Sequence, residues 1–249
     1  MNVLALEASA KAASCCVCQD GFLLAQSYQH SGLTHSRTLL PMIEDMLKNS
    51  GLSLSDMELV AVANGPGSFT GLRIGVSTAK GLAWAKGLPC AGCSTLESMA
   101  WNLSHLEGQD VCCAMDARRS QVYAGRFVIE NGVPVRLRPD EAISVAQLAQ
   151  EVENCGRSQI LVGDGWELCY NEFTSRSLPC VAAPPHLRYP SAWGVARCAL
   201  EQSRRGELTT AAALAPAYHR LSQAERERLE REKSPEISTN EHKGADQNG

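Results

Sequence analysis

The run Asn64-Gly65-Pro66-Gly67-Ser68-Phe69-Thr70-Gly71-Leu72-Arg73-Ile74-Gly75 has the residue types of a phosphate cradle. Glycines let a backbone approach an anion, and the free N–H groups at a helix start attract negative charge. Two templates for that chemistry each fail by one position. A P-loop places four residues between its first glycine and Gly-Lys-Ser/Thr. Here three residues separate Gly67 from Gly71, and Leu72-Arg73 stands where Lys-Ser/Thr belongs. A dinucleotide fingerprint needs Gly-x-Gly-x-x-Gly, and Thr70 occupies the place of the third glycine. Anion contact at the helix start therefore stays open, beside a purely geometric role for the glycines.

The helix that follows is more informative. Gly71, Gly75, Ala79 and Ala83 recur every four residues, a smooth ridge against which another backbone can come unusually close. Leu72, Val76 and Leu82 are apolar away from that ridge, so more than one face is expected to be covered. One reading buries the ridge in its own domain, against its sheet and the helix around Ile43. The other turns one side of the helix to a partner chain.

Other chemistry-bearing residues are sparse. Two apolar strands end in acids, Glu7 and Asp116. His30 and His35 are five apart, not the one-turn spacing that puts two imidazoles on one helix face, so no metal site can be assembled from local spacing. Cys90 and Cys93 form a C-x-x-C, but no second pair at zinc spacing accompanies it and it opens no helix. It reads as a buried, inert pair.

The elements that must position these residues read as follows. Strands at 3–8, 14–19 and 22–29 are joined by Asp20-Gly21, a hairpin signal between apolar runs. A helix carries Leu39, Leu40, Ile43, Met46 and Leu47 at helical spacing and stops at Gly51. Pro41 is tolerated near a first turn, so either Thr38 is the N-cap or the helix starts earlier and kinks. A buried strand, Glu58–Asn64, leads into the glycine run and a helix to about Lys86, and Ser94 with Glu97 reads as a capping box. The second half repeats the order: a strand ending in Asp116, a strand, the turn Asn131-Gly132, a helix capped by Ser144 and Gln147 and stopped by Gly156, then a strand into Gly163-Asp164-Gly165. Two similar α/β lobes are expected, residues 1–105 and an abbreviated 106–220, followed by a charged, disordered tail at 221–249. A single mixed-sheet domain with an appendage is the alternative.

Composition bounds the function. The chain has 249 residues, 44% hydrophobic and 20% charged, enough for a packed core. A net charge of −4 argues against gripping nucleic acid alone. No apolar run is long enough to span a membrane, and no basic region precedes the first apolar stretch as in a signal peptide. Eleven cysteines, an odd number, without a secretion signal point to a reducing cytoplasm.

From Asn2 to about Arg220 these residues resemble the TsaB (YeaZ) family. The resemblance rests on the segment Gly65–Gly75, which is specific to it, and on weaker segments in the family's order: 35–47, 94–100, 115–127, 161–166 and 216–220. It implies a two-lobed actin-like, sugar-kinase-type ATPase fold and a part in making threonylcarbamoyladenosine beside the anticodon of tRNA. It further implies a non-catalytic subunit that binds its paralogue TsaD, the metal-bearing transferase, with the small ATPase TsaE joining the pair. ATP and a metal ion then belong to the complex, and tRNA is met only through it. The implied docking surface is the helix pair of the first lobe: His35, Leu39, Leu40, Ile43, Met46, Leu47, Gly71, Leu72, Arg73, Gly75, Val76, Ala79 and Ala83. The same surface is implied to form a homodimer without the partner. Gly65, Pro66, Gly67, Ser68, Phe69 and Thr70 form the signature loop. Glu7, Ser9, Asp116, Arg118, Gly163 and Gly165 mark the place of a vestigial nucleotide cleft. Glu7 stands where the fold normally has an Asp, which repositions the carboxylate by about one bond length. The alternatives are a small-molecule ATPase or kinase of the same fold, and a peptidase acting on the paralogue.

Overall fold

The computed structural model describes residues 1–219; the tail expected at 221–249 lies outside them. The first sheet is built from β1 (Asn2–Glu7), β2 (Ala13–Gln19), β3 (Phe22–Gln29), β4 (Leu59–Gly65) and β5 (Cys90–Ser94), with the helices α1 (His35–Asn49) and α2 (Phe69–Lys86). After α3 (Thr95–Trp101), the second sheet follows: β6 (Asp110–Arg118), β7 (Gln121–Glu130), β8 (Val133–Ser144), β9 (Gln159–Val162) and β10 (Cys180–Ala182). Its helices are α4 (Val145–Cys155), α5 (Trp166–Ser175) and the one-turn α6 (Pro185–Arg188), and α7 (Ala192–Arg204) comes last.

The two sheets share one plan. Their strand orders are β3-β2-β1-β4-β5 and β8-β7-β6-β9-β10, the same arrangement in both halves. In each, an antiparallel hairpin feeds a parallel crossover, β1 with β4 and β6 with β9. The repeated element order of the sequence is thus a repeated topology, and the fold is the two-lobed α/β type expected. The two hairpin turns work alike: Asp20 and Gly21, and Asn131 and Gly132, all sit at positive φ, which matches the twist of the flanking strands.

Alternation explains the layers of the first lobe. Leu4, Leu6, Cys15, Val17, Val60 and Val62 face α1 and α2, while Val3, Ala5, Cys16, Cys18, Leu59 and Ala61 face α7. The chain therefore returns to its first sheet at the end, and the last described residues bridge β5 through Thr209 and Cys90. A single boundary near residue 105 does not capture that return. Cys90 and Cys93 are both buried on β5. Burial pushes the thiol of Cys90 up, and both sulfurs pack as small apolar groups.

Three local expectations resolve. The helix α1 starts at His35 with Thr34 as N-cap and holds Pro41 inside it, so Thr38 is not the cap. Ser144 and Gln147 form the reciprocal capping box, and Gly156 ends α4 in the left-handed region. At α3 the box is only half made: Ser94 Oγ accepts from the Glu97 N–H at 3.0 Å, but the Glu97 carboxylate accepts from Arg136 at 2.9 Å instead of reaching back.

Candidate functional site

The glycine run turns out to be a knot in the first lobe. Gly67 sits so close to the β1–β2 turn that a Cβ there would come within 2.6 Å of the Ser9 carbonyl oxygen, and the Ser68 N–H donates to that same oxygen at 2.7 Å. Gly71 meets the carbonyl of Ala8 just as closely. Gly65 stands at φ +142°, a conformation side chains avoid, with the Ala217 carbonyl against it. Ser68 caps α2, its Oγ accepting from the Gly71 N–H at 3.3 Å and its carbonyl from the Leu72 N–H at 2.8 Å. The N–H groups of Ser68, Gly71 and Leu72 are thus spent on protein rather than left for an anion.

The partner of this loop is the segment 209–218, which crosses it as a strap. Ala217 N–H donates to the Asn64 carbonyl at 2.7 Å, and Asn64 Nδ2 to Ala215 O at 3.1 Å. Lys80 on α2 ties down Ala212 O and Leu214 O at 3.0 and 2.9 Å. Tyr218 stacks on Phe69 with centroids 4.9 Å apart, its hydroxyl accepts from Arg73 Nε at 3.0 Å, and the Arg73 guanidinium lies 4.1 Å over Phe69. Sequence reading placed Pro216–Arg220 among the family segments without a task for them. Nothing local in Ala215–Tyr218 announces that it crosses a loop 150 residues upstream.

The helix pair divides into an inner and an outer face. Leu39, Ile43, Met46, Leu47, Gly71, Leu72, Gly75, Val76, Ala79 and Ala83 are all buried in their own lobe. The small-residue ridge is one of these inner surfaces: a Cβ on Gly75 would lie 3.3 Å from Val62 Cγ2 and 3.4 Å from Ala8 Cβ. At Gly71 the backbone it admits is that of Ala8, just after β1, and at Gly75 it meets side chains of Val62 on β4 and of Ala8, so the ridge serves the lobe itself. His35 is half-buried, with Nε2 2.8 Å from the Ala10 carbonyl. Leu40 and Arg73 face outward, and so does a strip along α2 of Thr70, Arg73, Ser77, Gly81 and Trp84. Ser77 and Gly81 make this strip low, and a Cβ on Gly81 would meet nothing within 4 Å.

The residues expected to mark a vestigial nucleotide cleft bond largely within their own strand ends and turns. Glu7 is fully buried, and its Oε1 accepts from Ser9 N–H at 2.5 Å and Ser9 Oγ–H at 2.6 Å. Its Oε2 is buried with no hydrogen-bond partner. Burial pushes this carboxyl up to about 7 against the lowering effect of the two Ser9 bonds. A carboxylate folded onto its own strand end is not presented to a metal-bound phosphate. Asp116 closes the β6–β7 turn, Oδ1 accepting from Arg118 N–H at 2.7 Å, and Arg118, Arg119 and Ser120 all take positive φ. Gly163 and Gly165 pack on Ala114 of β6, Gly165 N–H donating to its carbonyl at 3.0 Å. The two turns are linked through Asp164, which accepts from Asp116 N–H at 3.0 Å; burial raises its carboxyl, and the charge of Lys11 on the β1–β2 turn acts the other way. Neither Asp164 nor Lys11 was singled out from sequence. Among the described residues, no three His, Cys, Asp or Glu side chains are grouped to hold a metal ion. No described helix is long and apolar enough to cross a membrane.

Residues 29–165 match the family model described as TsaD, tRNA N6-adenosine threonylcarbamoyltransferase. The tRNA threonylcarbamoyladenosine biosynthesis protein TsaB of Escherichia coli (strain K12) is 34% identical over 169 residues, 67% of this chain and 73% of that protein. Its counterpart in Bacillus subtilis (strain 168) is 31% identical over 163 residues, 66% and 71% of the two chains. The solved structure of YeaZ from Pseudomonas aeruginosa superposes with a TM-score of 0.73 at 27% identity, covering 87% of this chain and 99% of that one. With the duplicated sheet topology and the Gly65–Gly75 knot, these similarities place the chain: it belongs to the TsaB (YeaZ) family.

Proposed function

We propose that this chain is a non-catalytic subunit in the threonylcarbamoylation of tRNA adenosine beside the anticodon, and that it binds and activates a TsaD transferase, with TsaE joining the pair. The reading is supported by what its relatives are named for and, within the molecule, by one observation. The carboxylates that could do chemistry are buried or tied to their own turns, while the outer strip of α2 carries a low, uncharged stretch at Ser77 and Gly81 between Arg73 and Trp84. Small residues facing outward let a partner helix approach closely. Trp84, 72% exposed, is the large apolar group such a contact would cover. Activation then needs only that this face fit the active form of the transferase better than the inactive one, since a partner shifts an equilibrium by its differential affinity.

Gly81→Leu tests it. The substitution adds bulk to the outer strip, where there is room in the monomer, and it favours helix. The expected result is an unchanged circular dichroism spectrum, loss of TsaD capture, and loss of tRNA modification in a reconstitution with TsaD and TsaE. Modification at the wild-type rate by this variant would overturn the docking assignment.

A further inference from the structure

Two-residue turns join β2 to β3, β6 to β7 and β7 to β8. Two of them, Asp20-Gly21 and Asn131-Gly132, carry the residues that such turns favour at positive φ. The turn between β6 and β7 does not. Arg119 and Ser120 both stand at φ +55°, and Arg118 before them at φ +67°. Left-handed backbone sets a Cβ against the neighbouring carbonyl, so three such residues in succession, none of them glycine or asparagine, hold a strain that the chain avoids at its other two turns. The turn is nevertheless tied down. Asp116 Oδ1 accepts from Arg118 N–H at 2.7 Å, Asp116 N–H donates to Asp164 Oδ1 at 3.0 Å, and the Ser120 carbonyl accepts from Val145 N–H at 3.3 Å. What it holds out is positive charge. The Arg118 side chain is 85% exposed and meets one acid, Asp116, at 3.5 Å. Arg119 is exposed and has no ion-pair partner among the described residues. The other arginines from β6 to α6 are occupied: Arg126, Arg136, Arg138, Arg157 and Arg176 in ion pairs, Arg188 on the Ala183 carbonyl.

We infer that the Arg118-Arg119 turn is a phosphate contact for tRNA, so that this chain touches the substrate itself as well as the transferase. The inference rests on the function proposed above, which makes tRNA the substrate. Three observations choose an RNA backbone as the occupant. A guanidinium fork fits phosphate oxygens through two parallel bonds, and here two forks are adjacent in sequence with at most one weak internal partner between them. The turn is held at both ends by backbone hydrogen bonds, so it loses little freedom when it is contacted. It is also an open tip, where a small anion would stay in water but a long polyanion held elsewhere by a partner can be laid against it. The net charge of −4 limits the effect to this place: the chain alone grips RNA weakly, and the turn adds to what the transferase holds. Contacts of this kind position a nucleic acid without reading its sequence.

Fluorescence anisotropy of a labelled tRNA transcript is the test, titrated with the chain and TsaD together over a series of salt concentrations, and with the full chain alone at low salt. Arg118→Gln with Arg119→Gln is expected to raise the dissociation constant about tenfold and to flatten the slope of log K against log salt by about one for each arginine. Lysine at both positions should restore most of the affinity, since phosphate accepts either cation. Arg204→Gln, in the last turn of α7, is expected to change neither quantity. Arg119→Gly separates binding from support. Relief of the left-handed strain should raise the melting temperature by about 2–4 °C while tRNA affinity falls, opposite signs that a purely structural turn could not give. A wild type that fails to capture TsaD would count against the function proposed above, and the titration of the chain alone then decides on the turn. Wild-type affinity and salt slope in the double glutamine variant would overturn the inference. So would loss of TsaD capture by that variant, which would make the turn a protein contact.

Discussion

Glu7 concentrates the chemistry of single residues in this molecule. Its carboxyl is buried, half satisfied by Ser9, and raised to about 7 by desolvation. An acid whose folded value lies above its unfolded one binds more protons when folded, so its contribution to stability is full below the unfolded value of 4.5 and is lost as pH rises towards 7. Between pH 5 and pH 8 that loss is on the order of 2–3 kcal/mol. Urea unfolding at both pH values should show the wild type losing stability relative to Glu7→Gln as pH rises; parallel pH dependences for the two proteins would mean the carboxyl is not buried as described. The position of an acid at the end of β1 was legible in the sequence, because an apolar run stops there. Its partner was not, since a Glu two residues before a Ser can as well reach into a cleft as bond back to its own strand end.

At the scale of elements, the two faces of α2 decide between the two readings that periodicity left open. A four-residue repeat of Gly and Ala says that something comes close, but not what. The sheet won the inner ridge, since Gly71 meets Ala8 and Gly75 meets Val62 within the same lobe. Gly71→Leu should therefore cost at least about 3 kcal/mol and leave little folded protein, because its backbone neighbour cannot move aside, whereas Gly81→Leu should melt at the wild-type temperature or above; thermal melts of the pair separate the two faces. The strap makes a second prediction at this scale. Tyr218→Ala removes the stack on Phe69 and the bond from Arg73, worth about 1 kcal/mol, and hydrogen exchange at the Ala217 N–H, which is bonded to Asn64, should speed up about fivefold or more while exchange in the β4 core stays unchanged. Equal protection in variant and wild type would show that the aromatic contact does not hold the strap.

Across the whole molecule, the repeat of strand, hairpin turn, strand, helix and glycine turn was readable because each of those features is local. Asp20-Gly21 and Asn131-Gly132 announce hairpins by backbone preference, and Ser144 with Gln147 announces a helix start by hydrogen bonds within one turn. These signals determined two α/β lobes of like order, the glycine run as a strand-to-helix junction, and its failure to match either nucleotide template. What they could not determine is everything made by contacts distant in sequence. Only the folded chain decided that Gly65 and Gly67 exist for the strap and the β1–β2 turn, that the small ridge faces inward, that Glu7 bonds to Ser9, and that α7 and residues 209–218 complete the first lobe. The physical reason is common to all of them. Periodicity and turn chemistry record a residue's need to be buried or bent, but burial is non-directional, and which surface meets the need is settled only when the sheets have closed over their helices.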